Sequence, residues 1–200
     1  MQVRAERTRS NILKTAKKLF AENGFAGTSV DSVAEAAKAN KQRIYAYFGS
    51  KKKLFEAVLL DIFADNSIAF SRFAETVRPG EQNITFELSQ YYQRLHEEHP
   101  EFHRLLTWAN LEKTIDPDVL LQARRTENKC LLNWFRSEQT NQRIRSDITF
   151  ESWLLTIMGT AYFASSNALT LSRTLGENFL TPAAQARRSE DLAVLFGCRK

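Results

Sequence analysis

A chain of 200 residues, 43% hydrophobic and 26% charged, is long enough to bury a sizeable core in one or two domains. No apolar run approaches the ~20 residues of a membrane span, and the opening "MQVRAERTRS" lacks the apolar middle of a secretory signal. No membrane partner is therefore expected, and the cytoplasm is the expected location. The net charge of +5 is uneven: residues 1–60 carry 12 Lys and Arg against 5 Asp and Glu, and the remainder 16 against 18. A basic head on a near-neutral body is the asymmetry of a nucleic-acid-binding chain.

Proline and glycine are scarce and fall between long periodic segments, so the expected fold class is all-α, with about nine helices and no sheet. Ile12, Leu13, Ala16, Leu19 and Phe20 form the stripe of an amphipathic first helix, which Gly24 ends. "TSVDSVAEAAK" offers Thr28 and Ser29 as N-caps and turns Val30, Val33, Ala34 and Ala37 to one face. A gap of three or four residues leads to a short helix over Lys41–Phe48. Ser50 caps a long helix running to about Val77, which "RPG" at 78–80 breaks. Further helices are expected over 81–99, 100 to about 112, 117 to about 141 and 149–175, and a last one from "TP" at 181–182 to near Gly197. The domain division implied is 1–50 for the head and 51–200 for the body.

Two short helices joined by a tight turn match a helix-turn-helix. On the second, Ile44 and Phe48 share an inward face, so Gln42 and Ala46 point furthest out, with Arg43 and Tyr45 to either side. Lys41 lies in the first turn, the end that meets base edges. Arginine can pair with guanine and glutamine with adenine, while tyrosine hydroxyls and lysines serve as phosphate contacts.

The stretch "ILKTAKKLFAENGFAGTSVDSVAEAAKANKQRIYAYFGSKKKLF" resembles the N-terminal domain of TetR-family transcriptional regulators. The resemblance rests on Leu19-Phe20, Gly24-Phe25, Thr28-Ser29-Val30, Ala34, Ala37, Ile44-Tyr45, Tyr47-Phe48, Ser50-Lys51 and Leu54-Phe55. It implies a homodimer whose two heads enter successive major grooves of a near-palindromic double-stranded operator. By position it puts Lys41, Gln42, Arg43 and Tyr45 at base edges, and Thr28, Tyr47 and Lys51 on phosphates. Thr28 and Lys51 also lie at helix N-termini, where free N–H groups favour an anion. Lys38 stands where family members usually have glycine. A left-handed lysine there costs on the order of 1 kcal/mol, so either the turn is reshaped or Lys38 gains by facing a phosphate.

The body is rich in aromatic residues at helical spacing, core residues in the first instance. The resemblance implies a cavity among them for a small-molecule effector, with Trp108, Glu112, Trp134, Tyr162 and Asn167 as candidate lining residues. It also implies a dimer formed by the last two helices, which places Trp153, Leu154, Ile157, Ala161, Ala164, Ala168, Leu192, Leu195 and Phe196 near the two-fold axis. His96, His99 and His103 have metal-like spacing, but Pro100 interrupts them and no metal or other cofactor is expected. Cys130 and Cys198 match no redox or metal spacing. No nucleophile–base pair, carboxylate pair or phosphate-cradling glycine loop emerges, so an enzyme is not expected. The function expected is a ligand-responsive regulator, most simply a repressor. An activator, a sequence-independent DNA-coating protein and a helical enzyme are the alternatives.

Overall fold

The computed structural model describes residues 2–113 and 117–198. They form ten α-helices: α1 Gln2–Gly27, α2 Val30–Ala36, α3 Lys41–Phe48, α4 Lys51–Thr76, α5 Ile84–Glu98, α6 Pro100–Glu112, α7 Pro117–Thr140, α8 Phe150–Ser166, α9 Ala168–Leu175 and α10 Pro182–Phe196. There is no strand among the described residues. The additional helix arises because the segment expected to be one helix over 149–175 is interrupted at Asn167. That residue leaves helical geometry (φ −116°, ψ 18°) and its side-chain amide donates to the Phe163 carbonyl, ending α8. No described helix is long and apolar enough to cross a membrane.

The chain divides into two compact units, Met1–Asn66 with Pro100–Arg124, and Ser67–His99 with Arg125–Lys200. This differs from the expected division at residue 50, because α6 and the first half of α4 pack with the head. In the first unit Ile12, Ala16 and Phe20 of α1 are fully buried beside Val33, Ile44, Leu54 and Phe55. The Phe20 and Phe55 rings meet edge to face at 4.9 Å, and Phe25 closes on Phe55 at 5.4 Å. α6 lies along α1 and reaches α4 through Phe102, whose ring meets Phe63 edge-on at 5.6 Å.

Gly24 breaks α1, as its position in the sequence predicts, at φ +73°. The backbone N–H of Ala26 beyond the break donates to the Glu112 carboxylate at 3.1 Å, so α6 satisfies a group that the break frees. Lys17 binds Asp61 at 2.8 Å and Asp65 at 3.3 Å, tying α1 to α4. Burial pulls its ammonium down, but the two carboxylates more than offset this and hold it above its ordinary value.

In the second unit α5 sits between α8 and α10. Trp153 of α8 is fully buried and its Nε1–H donates to Thr85 Oγ1 at 3.0 Å, with the Phe135 ring 5.3 Å away. The α5–α10 seam is polar instead: Gln93 Nε2 donates to Ser189 Oγ at 2.8 Å, and Ser189 Oγ to Ser89 Oγ at 2.9 Å. Buried polar groups survive there because they satisfy one another.

Candidate nucleic-acid interface

The helix-turn-helix is built from local capping. Ser29 accepts from the Ser32 backbone N–H at 2.9 Å while the Ser29 N–H donates to Ser32 Oγ at 3.1 Å, closing a capping box on α2. Asn40 Oδ1 accepts from the Gln42 N–H at 2.8 Å and starts α3. Gly49, at φ +78°, ends it, since the chain there takes a geometry that glycine alone adopts without cost. Ser50 Oγ then accepts from the Lys53 N–H at 3.1 Å at the start of α4.

The turn between α2 and α3 keeps the left-handed conformation: Lys38 has φ +51°. It is held by the Lys38 N–H on Glu35 O, the Ala39 N–H on Ala34 O, and the Asn11 side chain of α1, which donates to Ala37 O at 2.9 Å. The alternative of a reshaped turn is thereby removed. Lys38 carries its strain with an exposed side chain.

Ile44 and Phe48 are buried, fixing the rotation of α3. Lys41, Gln42, Arg43, Tyr45 and Ala46 are exposed on the opposite surface, and Tyr47 is half-buried at its margin. Apart from Ala46, these are residues that the resemblance placed at base edges, with Tyr47 on phosphate. Lys41 Nζ is bound to Asp31 Oδ2 of α2 at 2.8 Å, and this hydrogen bond raises its pKa. One of its donors is therefore engaged before any base is met. Lys51 Nζ stands 4.3 Å from the centre of the Phe25 ring, a cation–π contact that holds the side chain over the head.

Thr28 differs from its expected place. It is 2% exposed, and its hydroxyl donates to Gly24 O at 2.8 Å and Leu19 O at 3.1 Å. With Ser29 taking the cap, Thr28 faces inward and closes the end of α1, so it presents nothing to a phosphate in this conformation. Arg9 was not singled out from the sequence; its guanidinium lies 5.1 Å from the Phe48 ring centre. The signal for it was its place one turn before Ile12 on the same helix.

The five candidate effector-pocket residues have separate neighbours. In the first unit Trp108 lies against Gly24 and Glu112 accepts from Ala26. In the second, Trp134 joins Phe70 and Phe73 in an aromatic cluster, the Tyr162 ring lies 5.8 Å from His96, and Asn167 caps α8. The nine residues expected near the two-fold axis differ in exposure. Trp153, Leu154, Ile157, Ala161, Ala164, Leu192 and Phe196 are buried inside the single chain, and Ala168 is half-buried. Their stripe on α8 faces inward because Trp153 anchors it to Thr85. Only Leu195 is exposed, at 56%, and it has company that the sequence reading passed over: Leu155 at 72%, Phe163 at 55% and Val194 at 81%.

His96 is buried, His99 ends α5, and His103 lies in the first turns of α6; no group of three metal-ligating side chains occurs among the described residues. Cys130 is half-buried and burial raises its thiol pKa, which keeps it in the unreactive protonated form.

Comparison with known proteins bears on the same two segments. Residues 12–58 match the model of bacterial regulatory proteins of the tetR family, and residues 85–194 match that of the tetracyclin repressor-like C-terminal domain. The chain is 34% identical over 191 residues to the HTH-type transcriptional repressor NicS of Pseudomonas putida, covering 91% of this chain and 87% of that protein. It is 37% identical over 107 residues to the HTH-type transcriptional repressor SCO4008 of Streptomyces coelicolor, covering 54% and 52%. A crystal structure of a TetR family transcription regulator from Marinobacter aquaeolei superposes with a TM-score of 0.80 over 100% of both chains at 18% identity.

Proposed function

Because the chain belongs to the TetR family of bacterial regulatory proteins, we propose that it is a transcriptional repressor, working in the cytoplasm, that binds a near-palindromic operator as a homodimer and is released by a small-molecule effector. The observation that carries the DNA reading is the rotation of α3: Ile44 and Phe48 hold it down while Gln42, Arg43 and Tyr45 face outward. Gln42 and Arg43 have the donor and acceptor geometry for base edges, Lys41 and Tyr45 flank them, and Lys38, Tyr47 and Lys51 take the backbone. Repression is favoured because NicS and SCO4008 are both transcriptional repressors.

The dimer face is assigned to Leu155 and Phe163 of α8 with Val194 and Leu195 of α10. Large apolar side chains exposed on α8 and α10, the two helices that flank α5, call for a partner surface. Two heads brought to the ~34–36 Å spacing of half-sites would read one operator. An effector releases it by binding more tightly to a dimer with another head spacing. Trp134 and Tyr162 are retained as candidates for effector contact in the second unit. Trp108 and Glu112 are not, because their contacts serve the α1–α6 junction.

The test is selection of bound sites from random double-stranded DNA, followed by titration at several salt concentrations. A single palindromic motif with a steep salt dependence is the expected result. Binding without a preferred site would replace this reading with a DNA-coating role, and release of RNA polymerase rather than its recruitment at the selected site separates repressor from activator.

A further inference from the structure

A groove of about 280 Å³ in the first unit is lined by Arg4, Ala5 and Thr8 of α1 and by Arg43 and Tyr47 of α3. Arg43 and Tyr47 stand four residues apart on one side of α3, and the first turns of α1 run past that side. Thr8 Oγ1 is occupied, donating to the Arg4 carbonyl at 2.9 Å within α1. No carboxylate of the described residues lines the groove.

Three lysines of the head are already paired with carboxylates, Lys18 with Glu22 among them. Lys17 has Asp61 and Asp65, and Lys41 has Asp31. Arg4 and Arg43 have no carboxylate partner among the described residues, yet both border one groove. Two guanidinium groups bordering one groove make it a favourable place for an anion, which would meet charge-assisted donors there. The Tyr47 hydroxyl adds a neutral donor at the same place. A tetrahedral anion with several acceptor oxygens suits a planar fork and a hydroxyl together better than a single carboxylate does.

We infer that the groove between α1 and α3 seats one phosphodiester of the operator backbone, so that Arg4 and the first turns of α1 are part of the DNA interface. The inference rests on the DNA-binding role proposed above and extends its footprint beyond the helix-turn-helix. Arg4 and Tyr47 hold the phosphate. Arg43 lines the same groove and adds positive charge to it while remaining the residue proposed for the adjoining base edge. A phosphate contact positions the head without reading sequence.

The experiment uses the full chain and the operator selected from random DNA. Binding is measured over a salt series for the wild type, Arg4→Ala, Arg4→Lys and Lys51→Ala, on the operator and on base-substituted operators. Arg4→Ala should weaken binding to every sequence by the same factor and lower the salt slope by about 1 per head, and Arg4→Lys should restore most of the slope. A wild-type slope and affinity for Arg4→Ala, beside a reduced slope for Lys51→Ala, overturns the seat while leaving the DNA-binding role intact. A changed base preference for Arg4→Ala also overturns it, since it would place Arg4 on a base. Failure of the wild type to select any operator overturns the role itself. Inorganic phosphate is titrated without DNA in a final arm. If it raises the melting temperature of the wild type but not of Arg4→Ala, and DNA binding is equal for the two, the groove serves free phosphate and the assignment to DNA falls.

Discussion

Trp108 covers Gly24 so closely that a Cβ placed on residue 24 would stand 2.8 Å from the indole ring. The glycine is needed twice over, because its φ of +73° also disfavours any side chain. Gly24→Ala should therefore destabilise the head by about 1 kcal/mol from backbone strain alone, with the clash adding to it. Replacing Trp108 by leucine in the Gly24→Ala background relieves the clash and leaves the strain. Denaturant unfolding of the two single variants and the double variant should show non-additivity, with the double variant more stable than the sum of the singles allows. Additive losses would mean that the ring moves aside freely.

Lys38 separates stability from binding. Its left-handed backbone has no glycine to ease it. Lys38→Gly should therefore stabilise the free protein, by up to about 1 kcal/mol set against the greater unfolded-state freedom of glycine. If the lysine faces a phosphate as proposed, the same variant loses operator affinity and part of the salt slope. Thermal melting and a salt titration on one preparation test both halves. A variant that melts higher and binds as before would leave Lys38 with strain and no role.

These two sites show what the sequence could carry. The limits of α3 are legible because they are local: Asn40 caps one end, Gly49 ends the other, and Ile44 and Phe48 sit one turn apart between them. The contact of Trp108 with Gly24 joins residues 84 positions apart and leaves no periodic trace. That contact puts α6 with the head, against a division at residue 50. Thr28 and Ser29 are equivalent as caps in sequence, and only the carbonyls of Leu19 and Gly24 decide which one turns inward. On α8, apolar residues occupy both faces, so spacing fixes the stripe of Trp153, Ile157, Ala161 and Ala164 but not the direction it faces.

His103 gives the head a pH dependence. Burial pushes its imidazole below the ordinary value of 6.5, Arg104 adds to the shift, and Glu101 opposes it. The unfolded chain accordingly binds a proton that the folded one resists. Stability rises with pH between the folded value and about 6.5 and falls on acidification through that interval. Unfolding curves collected from pH 7.5 down to pH 5 should show this decline for the wild type. In His103→Gln the part of the decline centred below 6.5 should be smaller. An identical decline in the variant would assign it to other groups.

The apolar side chains of α8 and α10 divide into two sets with opposite expected behaviour. Trp153 is 0% exposed and bonded to Thr85, so Trp153→Ala opens a cavity and orphans a buried hydroxyl. It should cost about 3–5 kcal/mol of stability. Leu155 and Val194 lie outside the core, so Leu155→Asp or Val194→Asp should leave the folded chain with unchanged far-ultraviolet circular dichroism. Buried in a dimer, the same carboxylates would meet an apolar surface and its symmetry mate at once. Sedimentation equilibrium should then show a dimer for the wild type and a folded monomer for either aspartate variant. Operator affinity should fall with dimerisation, because a lone head engages only one half-site and loses the effective concentration of the second. If both variants remain dimeric, the two-fold axis lies on another face and the exposed leucine and valine have some other partner.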